Sequence, residues 1–249
     1  MSNGFFELVH RSKAVHDEST ELSTYETPLV TVDIVLFSII DNSLRVLLIK
    51  RKDPPFEHHW ALPGGFIHVG ETLADAAARI LFEETNVKDI YFDQLGAFGA
   101  PERDPRARVI TISFYALVSA QRLQVQAKDK AEDLGWHCVT DLPLLAFDHE
   151  KIFSFALLRL KDTLEIGTSS VAYQLLPEKF TLTELQRVYE LIISKQLDKR
   201  NFRKKMLSVG ILEETGETKM EGYHRPAALY RFTSRSLSAH QQVHQPLRF

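Results

Sequence analysis

Arginines and glutamates in this 249-residue chain fall into spaced groups suited to phosphate chemistry. In FGAPERDPRARVITISFYALV, Arg106 and Arg108 stand two apart at the start of a strand-like run, so their side chains leave the same face. Paired guanidiniums match a pyrophosphate, which accepts forked hydrogen bonds. Arg103 and Asp104 precede them in a loop. The competing reading for each of these arginines is a solvated strand edge. Trp60 and Phe98 are large enough to stack on an adenine, although an aromatic of that size more often fills a core. The histidines, His58 and His59 included, show no metal-ligand spacing.

A second group lies towards the C-terminus. Lys199, Arg200, Arg203, Lys204 and Lys205 surround Phe202, Met206 and Leu207 within Asp198 to Val209. On a helix the apolar residues anchor the element, while the cations and Asn201 face outward. Arg and Lys read guanine O6 and N7, Asn reads adenine, and the remaining cations contact phosphates. Solvated helix faces are also commonly charged, so the meaning of this group depends on its neighbours.

The elements that must position these groups follow from periodicity. Leu29 to Phe37 and Ser43 to Lys52 read as strands joined by the turn-forming Asp41-Asn42, and Pro54-Pro55 ends the second. WALPGGF is a loop carrying Gly64 and Gly65, followed by a helix from about Thr72 to Thr85 with Leu73, Ala76, Ala77, Ile80 and Leu81 on one stripe. Ile90 to Phe98, Arg108 to Val118 and Gly135 to Val139 read as further strands. A helix from Asp148 to Leu164 places Ile152, Phe155, Ala156 and Leu160 on one side. Leu182 to Lys195 is an amphipathic helix with Thr181 and Thr183 as candidate caps and Glu184 placed for a capping box. A break at Gln196-Leu197 leads into the basic helix, stopped by Gly210. Strands at Ile211 to Thr215 and Ala227 to Phe232 enclose a charged loop with Lys219, His224 and Arg225.

Hydrophobic residues make up 44% and charged residues 25%, a soluble globular profile, and no apolar run is long enough to span a bilayer. The single Cys138 excludes an intrachain disulfide and, with no signal-peptide layout, points to a cytoplasmic protein without a membrane partner. Net charge is −3, yet Ser170 onwards holds 13 basic and 8 acidic residues against 17 and 25 before it. The basic back half suits a phosphate-rich partner.

GGFIHVGETLADAAARILFEETNV resembles the Nudix box, with Gly65, Glu71, Arg79 and the Glu83-Glu84 pair in register. In active Nudix hydrolases a further Glu follows the Arg and joins the later pair as metal ligand or base. The cluster then shares divalent cations that neutralise a pyrophosphate and activate water. Here that position is Ile80, which offers no oxygen, and the final motif Gly is Asn86. The resemblance thus implies a box with no catalytic residue assigned, which binds a nucleotide without cutting it. The alternative is a slow hydrolase of ADP-ribose or a related nucleoside diphosphate derivative, with Mg²⁺ held by Glu83, Glu84 and a residue elsewhere in the chain.

Helix, turn, basic helix and hairpin follow the order of a winged helix-turn-helix, whose second helix enters the major groove. Such modules also bind proteins, and that reading stays open. Box, RDPRARV stretch and winged helix together resemble the Nudix-related transcriptional regulators of NAD metabolism, the NrtR family, from about Leu29 to Phe232. The resemblance implies an α+β chain, with a Nudix fold (an α/β/α sandwich on a mixed sheet) at 26–164 and a winged helix-turn-helix at 172–233. A 1–25 arm, a 165–171 linker and a 234–249 flexible tail complete the expected organisation. It implies a homodimeric repressor that binds double-stranded operator DNA and is released by ADP-ribose as effector, with no required cofactor. The ligand-binding set is Trp60, Gly64, Gly65, Phe98, Arg103, Asp104, Arg106 and Arg108. The DNA-binding set is Thr181, Thr183, Lys199, Arg200, Asn201, Arg203, Lys204, Lys205, His224 and Arg225.

Overall fold

A nearly unbroken run of Val, Ile, Leu and Phe makes β1 (Leu29–Ile40) the spine of the first domain, buried on both faces. The structure, a computed structural model, describes residues 25–87, 90, 92–119, 131–165, 174–220 and 226–233. His224, Arg225, the tail and nearly all of the expected arm and linker lie outside the described residues. β1 turns through Asp41 and Asn42, both at positive φ, into β2 (Ser43–Arg51), an antiparallel partner. Two consecutive positive φ values match the right-handed twist of a tight hairpin, and Asp and Asn tolerate them.

β3 (Trp60–Ala61), β4 (Gly64–Phe66), β5 (Asp93–Phe98), β6 (Val109–Leu117) and β7 (Ala131–Cys138) complete a seven-stranded sheet. The path runs β3-β2-β1-β6-β5, with β4 also on β1 and β7 also on β2. β1 and β6 are parallel and the other pairs antiparallel, so the sheet is mixed as expected. β7 begins at Ala131, four residues before the expected start, because its ladder continues along β2 to Arg51.

The period of two in β1 sorts its side chains between two layers. Val32, Ile34 and Leu36 pack under α1 (Leu73–Thr85), against Ala76, Ala77, Ile80 and Leu81. Val35 and Phe37 face α2 (His149–Glu165), against Ile152, Phe153, Ala156 and Leu160. Each fully buried Leu, Ile or Phe contributes about 1.5–3 kcal/mol. α1 starts at Thr72, whose side chain accepts from the Asp75 N–H, and stops at Asn86 in the left-handed conformation. One expectation fails on α2. Phe155 is 53% exposed and meets the edge of Phe98, because the buried stripe runs through Phe153 and Ala156 on either side of it.

The second domain follows the order β8 (Phe180–Thr181), α3 (Leu182–Ile193), α4 (Lys199–Ser208), β9 (Leu212–Lys219), β10 (Ala227–Phe232). Its sheet runs β8-β10-β9. Thr181 and Glu184 form the expected capping box. β9 reaches Lys219 rather than Thr215, since the ladder with β10 continues to the Ala227–Lys219 pair. Phe180, Leu185, Tyr189, Phe202 and Met206 join the same apolar cluster as Phe37, Leu160 and Leu164. The two domains therefore share one core, and Arg187 Nε adds a 2.7 Å hydrogen bond to Asn42 Oδ1 across them. Among the described residues no helix is long and apolar enough to cross a membrane.

Candidate nucleotide cavity and DNA-binding face

A cavity of about 380 Å³ opens where β1, β2, β4, α1 and the loops before β6 and α2 meet. Gly64 lets β4 approach β1 closely: a Cβ there would sit 2.2 Å from Asp33 Oδ1 and 2.9 Å from the Val32 carbonyl. The Gly64 N–H donates to Glu84 Oε2 at 3.0 Å, and Glu84 is buried. Arg79 gathers the remaining acids of the box. It donates to Glu71 at 2.6 and 2.8 Å and to Glu83 at 3.3 Å. Those bonds, with the His68 N–H, hold the Glu71 carboxyl down to about 2.

Ile80 lines the cavity, is 2% exposed and belongs to the α1 core cluster. The donor set does not fit the divalent metal that a complete Nudix box implies. Glu83 and Glu84 are adjacent, each already engaged, and the position one turn before them is hydrocarbon. Among the described residues no three His, Cys, Asp or Glu side chains converge in a metal-holding group.

The cavity floor carries a buried ion network. Arg103, 4% exposed, donates three bonds of 2.7–3.2 Å to Asp148 and one of 3.1 Å to Asp33. Burial works against its charge, but Asp148 and Asp33 outweigh that and hold the guanidinium above its ordinary value. His149 accepts from the Leu62 N–H at Nδ1, so its proton sits on Nε2, 3.6 Å from Asp33 Oδ1. Burial holds this imidazole below its ordinary value. Asp148 precedes α2, its carbonyl accepting from the Lys151 and Ile152 N–H groups, and His149 begins the helix, so the floor of the cavity is fastened to the helix that packs against α3.

Above the floor, Asp104 accepts from the Arg106 N–H, Nε and Nη2 at 3.0, 3.0 and 2.7 Å. Burial pushes the Asp104 carboxyl up, but Arg106 outweighs it and holds the group below its usual range. The Arg106 guanidinium lies 5.5 Å from the Phe66 ring centre and 5.8 Å from that of Phe147. Arg51 reaches Phe147 as well, at 4.9 Å.

The fold thus brings Gly64, Gly65, Arg79, Ile80, Glu83, Glu84, Arg103, Asp104 and Arg106 together. Three other expected ligand residues do not line this cavity. Arg108 pairs with Glu26 at 3.2 Å and donates to the Ala100 carbonyl, Trp60 meets His137 at 4.3 Å, and Phe98 meets Phe155. Arg51, Asp33, Phe147 and His149 belong to the cavity without standing out in the sequence. The one signal was Asp33, a charge inside the apolar run LVTVDIVLF.

The other face is that of α4. Asp198 caps it by accepting from the Asn201 N–H at 2.8 Å. Phe202 and Met206 turn inward, Phe202 meeting Tyr189 edge-on at 5.3 Å. Lys199, Arg200, Asn201, Lys204 and Lys205 are exposed. Gln186 and Glu190 of α3 bind the Leu197 carbonyl and N–H, each at 2.9 Å, and so fix the turn between the helices. Arg203 donates to Thr183 on α3 at 3.3 Å, joining both helices on the outer side. Thr181 is different: it is buried and its hydroxyl serves the capping box. Lys219 pairs with Glu184 at 2.6 Å.

The chain matches the NUDIX domain family over residues 29–156 and the NrtR DNA-binding winged helix domain over residues 172–232. It is 38% identical over 214 residues to the ADPR responsive transcriptional repressor NtrR of Acinetobacter baylyi, covering 84% of each chain. Over 128 residues it is 43% identical to the ADP-ribose pyrophosphatase of Methanocaldococcus jannaschii, 51% of this chain and 72% of that one. Among solved structures it is similar to Shewanella oneidensis NrtR complexed with a 27mer DNA, with a TM-score of 0.71, 34% identity and coverage of 84% and 95%. It is also similar to the NUDIX domain of that protein complexed with ADP ribose, with a TM-score of 0.53, 35% identity and coverage of 59% and 98%. With a Nudix domain and an NrtR-type winged helix matched in one chain, and a relative 38% identical over 84% of each chain, the chain belongs to the NrtR family.

Proposed function

We propose that this chain is a transcriptional repressor of NAD synthesis or salvage genes, which holds operator DNA through α4 and releases it when ADP-ribose fills the Nudix cavity. The observation that carries this reading is the joining of two sites through one core. A cavity whose box has isoleucine at position 80 is fastened to α2, and α2 packs against the helix pair presenting the exposed cations. The control is linkage: ADP-ribose must bind the DNA-free arrangement better than the DNA-bound one. α2 is the element placed to carry that difference, since Asp148 grips Arg103 at one end and Leu164 meets the winged-helix core at the other. The protein works in the cytoplasm as a homodimer, which sets two α4 helices on a two-fold operator.

The test is a gel shift with the DNA upstream of the chain's own operon, titrated with ADP-ribose. Retarded DNA that is freed by ADP-ribose and not by ribose 5-phosphate supports the reading. A chain that ignores every promoter fragment sinks it. The second reading, a hydrolase of ADP-ribose, is favoured by the 43% identity to an ADP-ribose pyrophosphatase. Release of AMP from ADP-ribose with Mg²⁺ or Mn²⁺ present distinguishes it: no turnover is expected here, because Ile80 supplies no oxygen where the box needs a third carboxylate.

A further inference from the structure

We propose that Arg187 is a positioning residue for repression: by gripping Asn42 at the tip of the β1–β2 hairpin, it latches the helix-turn-helix in its operator-binding orientation. This rests on the ligand-controlled repressor reading and names a residue that regulates it. Arg187 is exposed on the outer side of α3 and stands apart from the cation cluster of α4. Its Nε donates to Asn42 Oδ1 at 2.7 Å, across 145 positions of sequence. Asn42 is presented from a tight turn, at a φ of 60°. Beyond it, Arg187 Nη1 stands 4.0 Å from Glu190 Oε2. The other oxygen of Glu190 accepts from the Leu197 N–H and from Gln186 Nε2, each at 2.9 Å. These bonds hold the Glu190 carboxyl below its usual range, and the Arg187 charge adds to them. Leu197 directly precedes Asp198, the cap of α4. A polar chain therefore runs from Asn42 through Arg187 and Glu190 to Leu197, from the Nudix hairpin to the start of the reading helix.

The same hairpin reaches the cavity. β2 packs against α3, and Ile49 and Arg51 at its far end line the cavity. Pairing with β1, β3 and β7 makes β2 a stiff element, so a displacement at the cavity end is felt at Asn42. The hairpin thus gives the cavity a second route to α4 alongside α2. The direction of the effect follows from ordering. A helix pair fixed on its body meets DNA already oriented and loses little freedom on binding. Released from Asn42, the pair gains freedom that the operator must remove. ADP-ribose binds the other arrangement and then has less to displace. The Arg187–Glu190 pair is loose and half exposed, so it contributes little alone; the close contact is the one with Asn42.

The experiment is a double-mutant cycle on the full chain with Asn42→Gly and Arg187→Met. Glycine keeps the positive φ of the turn and leaves the charge unchanged. Operator affinity is read by fluorescence anisotropy over a range of salt, and ADP-ribose affinity by calorimetry. Asn42→Gly is expected to weaken operator binding and to tighten ADP-ribose binding, each about two- to tenfold, the opposed shifts of a displaced equilibrium. Arg187→Met is expected to match it, the double variant to go no further, and the salt slope to stay as in the wild type. Unchanged affinities in Asn42→Gly overturn the latch. So does weaker operator binding with ADP-ribose unaltered, which is what a purely structural role produces. A lower salt slope in Arg187→Met, with additive effects in the double variant, assigns Arg187 to a DNA phosphate and also overturns it. These three results leave the repressor reading standing. Wild-type operator binding that is indifferent to ADP-ribose overturns the ligand-controlled reading itself, and the latch with it.

Discussion

Replacing Arg103 with Met removes the cation from a network that has almost no access to water. Arg103 is 4% exposed, Asp33 7% and Asp148 19%. Met keeps much of the apolar stem, so the loss is electrostatic: two carboxylates remain at the cavity floor without a counter-ion, beside a His149 that burial disfavours in its charged form. Breaking a buried pair in this way costs about 3–5 kcal/mol. For a chain of this size each kcal/mol lowers the thermal midpoint by roughly 2–4 °C, so the midpoint should fall by about 6–20 °C. The internal comparison is Arg231→Met on the wing, whose partner Glu213 is exposed on β9. That change should cost no more than about 1 kcal/mol. Urea unfolding of both variants at neutral pH measures the difference. If Arg103→Met costs no more than Arg231→Met, the network does not anchor α2 to the cavity, and α2 loses its role as the link between the two sites.

Other outcomes follow from the same geometry. Lys204→Ala with Lys205→Ala should weaken operator binding and reduce the slope of log K against log salt by up to about 1.8, roughly 0.9 for each phosphate no longer neutralised, with ADP-ribose binding intact; an unchanged slope in filter binding contradicts phosphate contacts there. Phe202→Ala should cost about 3–5 kcal/mol in urea and abolish operator binding, because the ring is wedged against Tyr189 beneath the exposed cations. Glu71→Gln should be less stable than the wild type near neutral pH. The folded carboxyl is held to about 2 against an ordinary 4.5, so its contribution is complete above about pH 4.5 and fades as pH falls towards 2. A stability gap that persists at pH 2 would show that Arg79 is not its source.

The parts readable from sequence were those carried by local pattern. The apolar run of β1, the Asp41-Asn42 turn and the Thr181–Glu184 capping box are all short-range choices, and each stands where its residues predict. The cavity was half legible. Gly64, Arg79, Arg103, Asp104 and Arg106 lie in stretches with recognisable spacing, but Arg51 and Phe147 sit 96 positions apart and meet only through the sheet. Arg106 and Arg108 do share strand spacing, yet a neighbour outside the motif, Glu26, draws Arg108 away. Phe155 has the i, i+3 step from Ile152 that suggests core, a step that on α2 turns just past the buried stripe. The far half of β9 is hidden in the sequence because Gly216, Glu217, Thr218 and Lys219 carry no apolar alternation; the wing is exposed there and held by its ladder and by the Glu217–Lys179 and Lys219–Glu184 ion pairs.

Coupling between cavity and α4 is most directly measured by titrating ADP-ribose into the wild-type chain twice, once free and once saturated with operator DNA, and recovering the nucleotide afterwards. Reciprocal linkage predicts that operator weakens ADP-ribose binding by the same factor that ADP-ribose weakens operator binding, at least about fivefold, with the ADP-ribose recovered uncut. Identical ADP-ribose affinity with and without operator, or nucleotide recovered as AMP, contradicts it.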